Sequence, residues 1–303
     1  MREEGGDVHA SGRARGSEKA ILPAGGFRAL LTIVESDADV ASVGICAALR
    51  ALRPFRAAGR FQGSPVEAWG SLRIVRIAGL HIFAERLDEE LSDAGLAPSV
   101  LAFASRHASE SGRRSLTVHP IGNFGKAPYG GEPGALPPAA PSVQSFALRR
   151  LSAHARGLPY DVTFEATHHG PLVAVPAFFL EVGSHESEWN DARAHEALAR
   201  TLLDLPDAPE EPAVVGVGGG HYAPRHGDLT RKRRAAVGHV LSDHALAAEP
   251  PDASLRAAFA GSGTRSFHVD ARSAHAERAA RRLLALGFSP VAPDAFPERG
   301  SQR

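Results

Sequence analysis

Val-Val-Gly-Val-Gly-Gly-Gly-His-Tyr-Ala-Pro-Arg, residues 214–225, reads as an apolar strand that runs into a glycine turn. Val214, Val215 and Val217 give no polar alternation, which suits a strand covered on both faces. Gly218, Gly219 and Gly220 let a ligand approach the backbone and leave N–H groups to bind anions. Neither nucleotide-binding pattern is completed. No Gly-Lys-Ser/Thr follows, and His221 stands at the last glycine position of a dinucleotide fingerprint. Pro224 argues against a phosphate-binding helix starting directly after the glycines. What remains is His221, Tyr222 and Arg225 packed into five residues at the end of a strand.

The same strand-then-polar-turn unit recurs along the chain. Apolar runs fit strands at Ala29–Glu35, Val100–Ala104, Ser115–His119, Asp161–Ala166, Ala177–Val182, Ala213–Val217 and Ser266–Val269. Ser71–Ile77 and Leu80–Ala84 are expected to form a hairpin about Ala78-Gly79. Between the strands, helical spacing is expected from Val40 onward with Asp37 as cap. Further helices are expected over Val143–Arg156, Glu186–Leu205, Ala253–Ala260 and Ser273–Leu286, with a basic one near Arg231–His244. Gly122–Pro141, rich in Gly and Pro, is a long loop, and such loops are usually functional. Strands alternating with helices predict an α/β fold with a mostly parallel sheet covered on both faces. Residues 1–26 are expected to be a disordered extension, 27–290 a single α/β domain of one or two packed subdomains, and 291–303 a flexible tail.

Composition narrows the function. The chain has 303 residues, 43% of them hydrophobic, and formal net charge zero. That suffices for one large core and creates no global field toward nucleic acid or membrane. The single Cys46 excludes an intramolecular disulfide framework and a four-cysteine zinc site. No run approaches the roughly 18 apolar residues of a membrane helix, and the N-terminus lacks the apolar core of a secretory signal. The informative excess is 15 histidines.

Several of these follow strands. Ligands of open α/β sheets bind beyond the carboxyl ends of the strands, so separate strand ends converge on one rim. Ser105-Arg106-His107, His119 with Asn123, Thr167-His168-His169, Ser184 and His221 are therefore gathered as one candidate site. Ser105 lacks the Gly-x-Ser-x-Gly frame of a nucleophile elbow. Adjacent His168 and His169 would point to opposite sides of an extended strand unless the chain bends, and Gly170-Pro171 supplies a bend. Neutral imidazoles act as general bases or metal ligands near pH 7. His107, His168, His169, His221, Glu165 and Glu181 are the available zinc donors, although no His-Glu-x-x-His spacing marks them. The basic run Arg231-Lys232-Arg233-Arg234 is either a solvated helix face or a contact to a phosphate backbone.

Five motifs in one order resemble the archaeal and plant type of D-aminoacyl-tRNA deacylase. They are Phe103–His107, Ser115–Gly125, Glu165–Pro171, Phe179–Ser184 with Trp189, and Gly216–Arg225, and the likeness runs from about Leu30 to Phe288. The resemblance implies a three-layer α/β/α core similar to peptidyl-tRNA hydrolases, two zinc ions, and hydrolysis of the ester of D-aminoacyl-tRNA. In that frame His168, His169 and His221 are the expected catalytic residues. Ser105, Arg106, His119, Asn123, Ser184, Gly218, Gly219, Gly220, Tyr222 and Arg225 are expected to bind substrate, and His107, Glu165, His169 and His221 to hold metal. The protein is expected to act as a cytoplasmic monomer on tRNA, without membrane or obligate protein partner. Two other readings stay open: a zinc-dependent amidohydrolase or peptidase on small amides, and a non-catalytic tRNA-binding module.

Overall fold

A computed structural model describes residues 30–300, which form two sheets sharing a helical layer. The N-terminal extension expected over residues 1–26 lies outside the described residues. The large sheet begins with β1 (Leu31–Ser36), followed by helix α1 (Val40–Leu52), β2 (Arg56–Phe61), β3 (Ser64–Trp69) and β4 (Leu72–Ile77). After helix α2 (Leu87–Asp93) come β5 (Val100–Ala108) and β6 (Ser115–Pro120). Helix α3 (Pro141–His154), β7 (Asp161–Phe164) and β8 (Ala177–Ser184) complete it, with strand order β2-β3-β4-β1-β5-β8-β6-β7. Pairing is parallel for β1 with β4 and β5, for β5 with β8 and for β6 with β7. It is antiparallel for β2 with β3, β3 with β4 and β6 with β8.

Helices α4 (Glu186–Trp189) and α5 (Ala192–Asp204) lead to the small sheet. Its elements are β9 (Ala213–Val217), α6 (Pro224–Lys232), β10 (Ala236–Leu241), α7 (Asp243–Ala247), α8 (Asp252–Gly261), β11 (Ser266–Val269), α9 (Ala276–Ala285) and β12 (Ser289–Pro290). All its pairs are parallel, in the order β10-β9-β11-β12.

Alternate residues of the central strands serve opposite faces. Phe178, Leu180 and Val182 of β8 pack with Ile45 and Leu49 of α1, Leu148 of α3 and Leu198 of α5. Phe179, with Leu101 and Phe103 of β5, packs instead with Leu87 and Leu91 of α2. Both faces are apolar and covered, as the unbroken apolar strands require. Helix α3 also closes one face of the small sheet: Val237 and Val240 of β10 share its core. The β10–β9 register shifts between Val237 and Val240, and α3 answers the displaced backbone. Gln144 Nε2 donates to the carbonyls of Val237 (2.7 Å) and Gly238 (2.9 Å), and Ser145 Oγ accepts from Val237 N–H (2.8 Å). No helix among the described residues is long and apolar enough to cross a membrane.

Four expectations are corrected. Leu80–Ala84 is not a strand. β4 pairs in parallel with β1, and the hairpins lie between β2 and β3 and between β3 and β4, while His81–Phe83 forms a short 3₁₀ turn that drops His81 into the core. The basic helix near 231–244 ends at Lys232, and its second half is the fully buried strand β10, because burial of Val237 and Val240 outweighs local propensity. The cap of α1 is Asp39, whose carboxylate accepts from the N–H groups of Ala41 and Ser42, not Asp37. Residues 291–300 are docked: Phe296 joins the core, and Arg299 binds Glu211 and the carbonyls of Thr230 and Arg233.

Candidate active site

A two-residue ladder joins the sheets and creates the site. Beyond β7, Glu165 pairs antiparallel with Tyr222 of the loop after β9. Ala166 N–H donates to His221 carbonyl and Ala223 N–H to Phe164 carbonyl, both at 2.8 Å. This seats His221 Nε2 at 3.3 Å from Glu165 Oε2. Glu165 is fully buried, while the His221 side chain is 46% exposed, so the pair spans from core to solvent.

His107, near the end of β5, reaches the same carboxylate. Its Nδ1 lies 3.2 Å from Glu165 Oε1 and 3.4 Å from Glu181 Oε2, and its Nε2 is 3.1 Å from the Tyr222 hydroxyl. Its register partner on β8 is Gly183, where a Cβ would stand 2.5 Å from the His107 carbonyl oxygen and 2.7 Å from its Cβ. Only glycine lets the two strands meet here. Trp189 Nε1–H donates to the His107 carbonyl at 2.8 Å.

Three further imidazoles are aimed by their own backbones. His119 Nδ1 donates to Pro120 carbonyl (3.1 Å), His168 Nδ1 to Ala166 carbonyl (2.8 Å) and His169 Nδ1 to Gly170 carbonyl (2.7 Å). Each bond places the proton on Nδ1 and leaves Nε2 to face the site. The bend expected at 170–171 begins one residue earlier, since His169 itself has φ +45°. Both adjacent rings therefore turn to one side, with centroids 4.2 Å and 4.9 Å from that of His119.

Charge in the cluster is balanced. Burial disfavours the imidazolium of His107, but Glu181 and Glu165 outweigh it and push its pKa up to about 10. The same opposition, burial against Glu181 and Glu165, raises His119. Burial, with the neighbouring imidazoles, drives His168 well below its usual range and His169 down to about 4. Burial pushes the carboxyls of Glu165 and Glu181 upward, yet the histidines facing them prevail and hold both low. Two buried carboxylates thus demand positive charge nearby, as protons or as a metal ion.

The donors fit a metal on a second count. Both oxygens of Glu165 and Nε2 of His119 are buried without an aligned hydrogen-bond partner. Such orphaned atoms are costly unless something binds them. Ligating atoms of His119, His168 and His169 lie within 4.8 Å of one another, as do those of His107, Glu165 and His221 and those of His119, Glu165 and Glu181.

The cluster forms one wall of a cavity of about 390 Å³. Of the expected substrate residues, Ser105 and Arg106 line it, with the Arg106 guanidinium 5.2 Å from the Trp189 ring centroid. His119 and Tyr222 stand behind the lining histidines. The others are not brought in. Asn123 Nδ2 donates to Gly130 carbonyl and braces the 122–141 loop, and Ser184 Oγ donates to Arg113 carbonyl. Gly218 spends its N–H on Leu241 carbonyl, and a Cβ on it would meet Ser273 at 2.5 Å. Gly219 lies against Asp270, Gly220 is outside the lining, and Arg225 opens into a different cleft.

Sequence reasoning missed Asp39, His81 and Tyr129, all on the cavity wall. Asp39 Oδ2 accepts from Ser105 Oγ (3.0 Å) and Arg106 N–H (2.9 Å), tying the start of α1 to β5. His81 was hidden by the hairpin reading. Its signal was a histidine beside Leu80 and Ile82 in an apolar stretch.

A family model described as D-aminoacyl-tRNA deacylase matches residues 94–286. A D-aminoacyl-tRNA deacylase of Methanosarcina mazei is 35% identical over 266 residues, covering 85% of this chain and 89% of that protein. One from Halorubrum lacusprofundi is 45% identical over 181 residues, covering 54% of this chain. The chain spans only 36% to 50% of the length of several curated relatives it matches. A crystal structure of a conserved protein of unknown function superposes with TM-score 0.80 at 28% identity, covering 88% of this chain and 96% of that one.

Proposed function

The chain belongs to the D-aminoacyl-tRNA deacylase family, and from that premise we propose that its histidine-lined cavity cleaves the ester joining a D-amino acid to the terminal ribose of tRNA. One observation carries the reading: five histidines from four separate segments converge on Glu165 and Glu181 beside a cavity open to solvent.

An aminoacyl ester needs a positioned water, a base and a counter-charge for the carbonyl oxygen. His221 is the exposed member of the cluster; Glu165 fixes a proton on its Nε2, and its Nδ1 takes the proton of the attacking water. Glu165, held at 3.3 Å, steadies the resulting imidazolium as the carboxylate of a catalytic triad does. Protonated His107 offsets the charge of both glutamates and donates to the Tyr222 hydroxyl, fixing the loop that carries His221. The Arg106 guanidinium, set over Trp189, contacts the terminal phosphate or sugar. Asp39 keeps Ser105 and Arg106 in place on the cavity wall.

His119, His168 and His169 would hold a zinc ion, and His107, Glu165 and His221 have the composition for a second; wherever that second ion binds, His107 gives up its extra proton and His221 serves as a ligand instead of the base. Bound zinc supplies Lewis acidity and lowers the pKa of water to about 7. The reaction belongs in the cytoplasm, where charged tRNA is used, and the site draws on a single copy of the chain.

Incubation with D-Tyr-tRNA and L-Tyr-tRNA, with and without a chelator, tests the reading. D-selective release of amino acid is expected, abolished by chelation. Turnover of small amides without tRNA would favour an amidohydrolase, and binding without release a tRNA-binding module.

A further inference from the structure

The small sheet contains a topological switch. From β9 the chain passes through α6 to β10 on one side, then crosses back to β11 on the other. In open parallel sheets, ligands bind in the crevice at such a point, beyond the carboxyl ends of the two strands. A cleft of about 830 Å³ opens there and runs along α6, more than twice the size of the active-site cavity. It is lined by residues of α6, by the turn after β11 and by the docked C-terminal segment.

Its charge is strongly one-sided. Arg225, Arg231, Lys232, Arg233, Arg272 and Arg299 face three acids, Asp228, Asp270 and Glu298. Asp228 is shared by Arg231 and Lys232, Glu298 pairs with Arg233, and Glu211 holds Arg299. Arg225 and Arg272 have no acidic partner among the described residues. Asp270, whose carboxylate accepts from the backbone N–H of Arg272, offsets part of this charge, but six cations against three acids in the lining still make the switch point a local anion site in a chain of zero net charge.

The floor adds a second requirement. His226 Nε2–H donates to Gly218 carbonyl at 3.1 Å, so its Nδ1 is an acceptor. His268 Nδ1, 3.0 Å away, must then be the donor. His268 is left with a bare Nε2, an acceptor without a partner among the described residues, on the cleft wall. A ligand that fits offers negative charge to the arginines and a hydroxyl to this nitrogen. A ribose-phosphate backbone has both, and the 2′-hydroxyl separates RNA from DNA.

We propose that the α6–β11 cleft is a second RNA-binding site, in which Arg225 and Arg272 hold phosphates of the tRNA stem and His268 accepts from a ribose 2′-hydroxyl. This rests on the tRNA reading of the neighbouring site. The two are coupled through the loop after β9: His221 lines the cavity, and Arg225, four residues on, lines the cleft.

The test measures binding of uncharged tRNA, which needs no turnover. The full chain and its R225A/R272A variant are titrated at several salt concentrations, with R200A, on the exposed face of α5, as control and thermal melting to confirm folding. The double variant is expected to bind at least about tenfold more weakly, with the slope of log Kd on log salt reduced by roughly 1.4 to 1.8, and R200A to behave as wild type. A DNA of the same sequence is expected to bind more weakly than the RNA, and H268F to narrow that gap. Unchanged affinity and slope in R225A/R272A would overturn the proposal. Loss of binding in a protein that hydrolyses nothing would leave the cleft standing and remove the hydrolase reading. Hydrolysis with unchanged binding would do the reverse.

Discussion

Glu165 and His221, 56 residues apart, meet at 3.3 Å because the loop after β9 forms a two-stranded ladder with the end of β7. The contact brings an exposed imidazole to a buried carboxylate that His107 and His168 also face. His221→Ala is expected to lower release of D-tyrosine from tRNA by at least about tenfold while leaving the melting temperature near wild type. Glu165→Gln should lose at least as much, because it also removes a charge that keeps His107 protonated. Single-turnover deacylation with circular dichroism checks both, and wild-type rates in both would dismiss the pair from catalysis.

Metal content is separable from activity. His119, His168 and His169 each commit Nδ1 to a carbonyl and present Nε2 inward, an arrangement with closed geometry and little freedom. Purified protein should carry zinc by elemental analysis. His169→Ala should reduce it by at least one equivalent, since loss of one donor from a three-residue set typically costs far more than tenfold in affinity. Equal zinc in wild type and variant would exclude this triad as the ligand set.

Gly183→Ala is a test of the scaffold. The added methyl would lie 2.5 Å from the His107 carbonyl oxygen, on backbone that neighbours on both sides hold in place. Overpacking of this kind costs about 1–3 kcal/mol, and a backbone collision belongs at the upper end. Thermal melting should show a fall of several degrees, with lost activity because β5 carries His107. Gly125→Ala meets nothing within 4 Å and should melt with wild type.

Much of this site is legible in the sequence. Strand ends are recognisable because apolar runs stop at polar residues, and the rule that such ends share a rim groups Ser105, Arg106, His107, His119, His168, His169 and His221, which the fold places in or beside one cavity. Failures came where tertiary pairing decides. The roles expected for Asn123, Ser184 and Gly218 depend on which way a side chain or N–H points, and register alone fixes that. The Arg231–Arg234 run looked like a continuing helix, but its polar character ends where β10 is buried on both faces. Asp37 and Asp39 both precede the apolar periodicity; the cap is Asp39 because its carboxylate reaches the N–H groups of Ala41 and Ser42 in the first turn.

Acid should unfold the protein through buried histidines, His168 and His169 in the site and His226 and His239 outside it. Burial lowers His226 to about 4, with His268 adding to the shift, and burial lowers His239 to about 4. His239 Nε2–H donates to Pro137 carbonyl at 2.9 Å and its Nδ1 accepts from Thr167 Oγ1 at 3.2 Å, so the neutral ring is fully used. Between pH 6.5 and about 4 the unfolded chain binds a proton at each of these positions and the folded chain does not. Stability therefore falls as pH falls through that window, by about 3 kcal/mol for each ring when the titration is complete. His107 acts in the opposite sense: raised to about 10, it contributes stability that is fully present below pH 6.5 and lost as pH climbs toward 10, so it does not cancel the acid effect. Melting temperatures should drop steadily from pH 7 to 4.5. His239→Gln keeps a donor for Pro137 without a titrating group and should make that decline shallower. Parallel declines in wild type and variant would mean that the unfolding protons bind elsewhere.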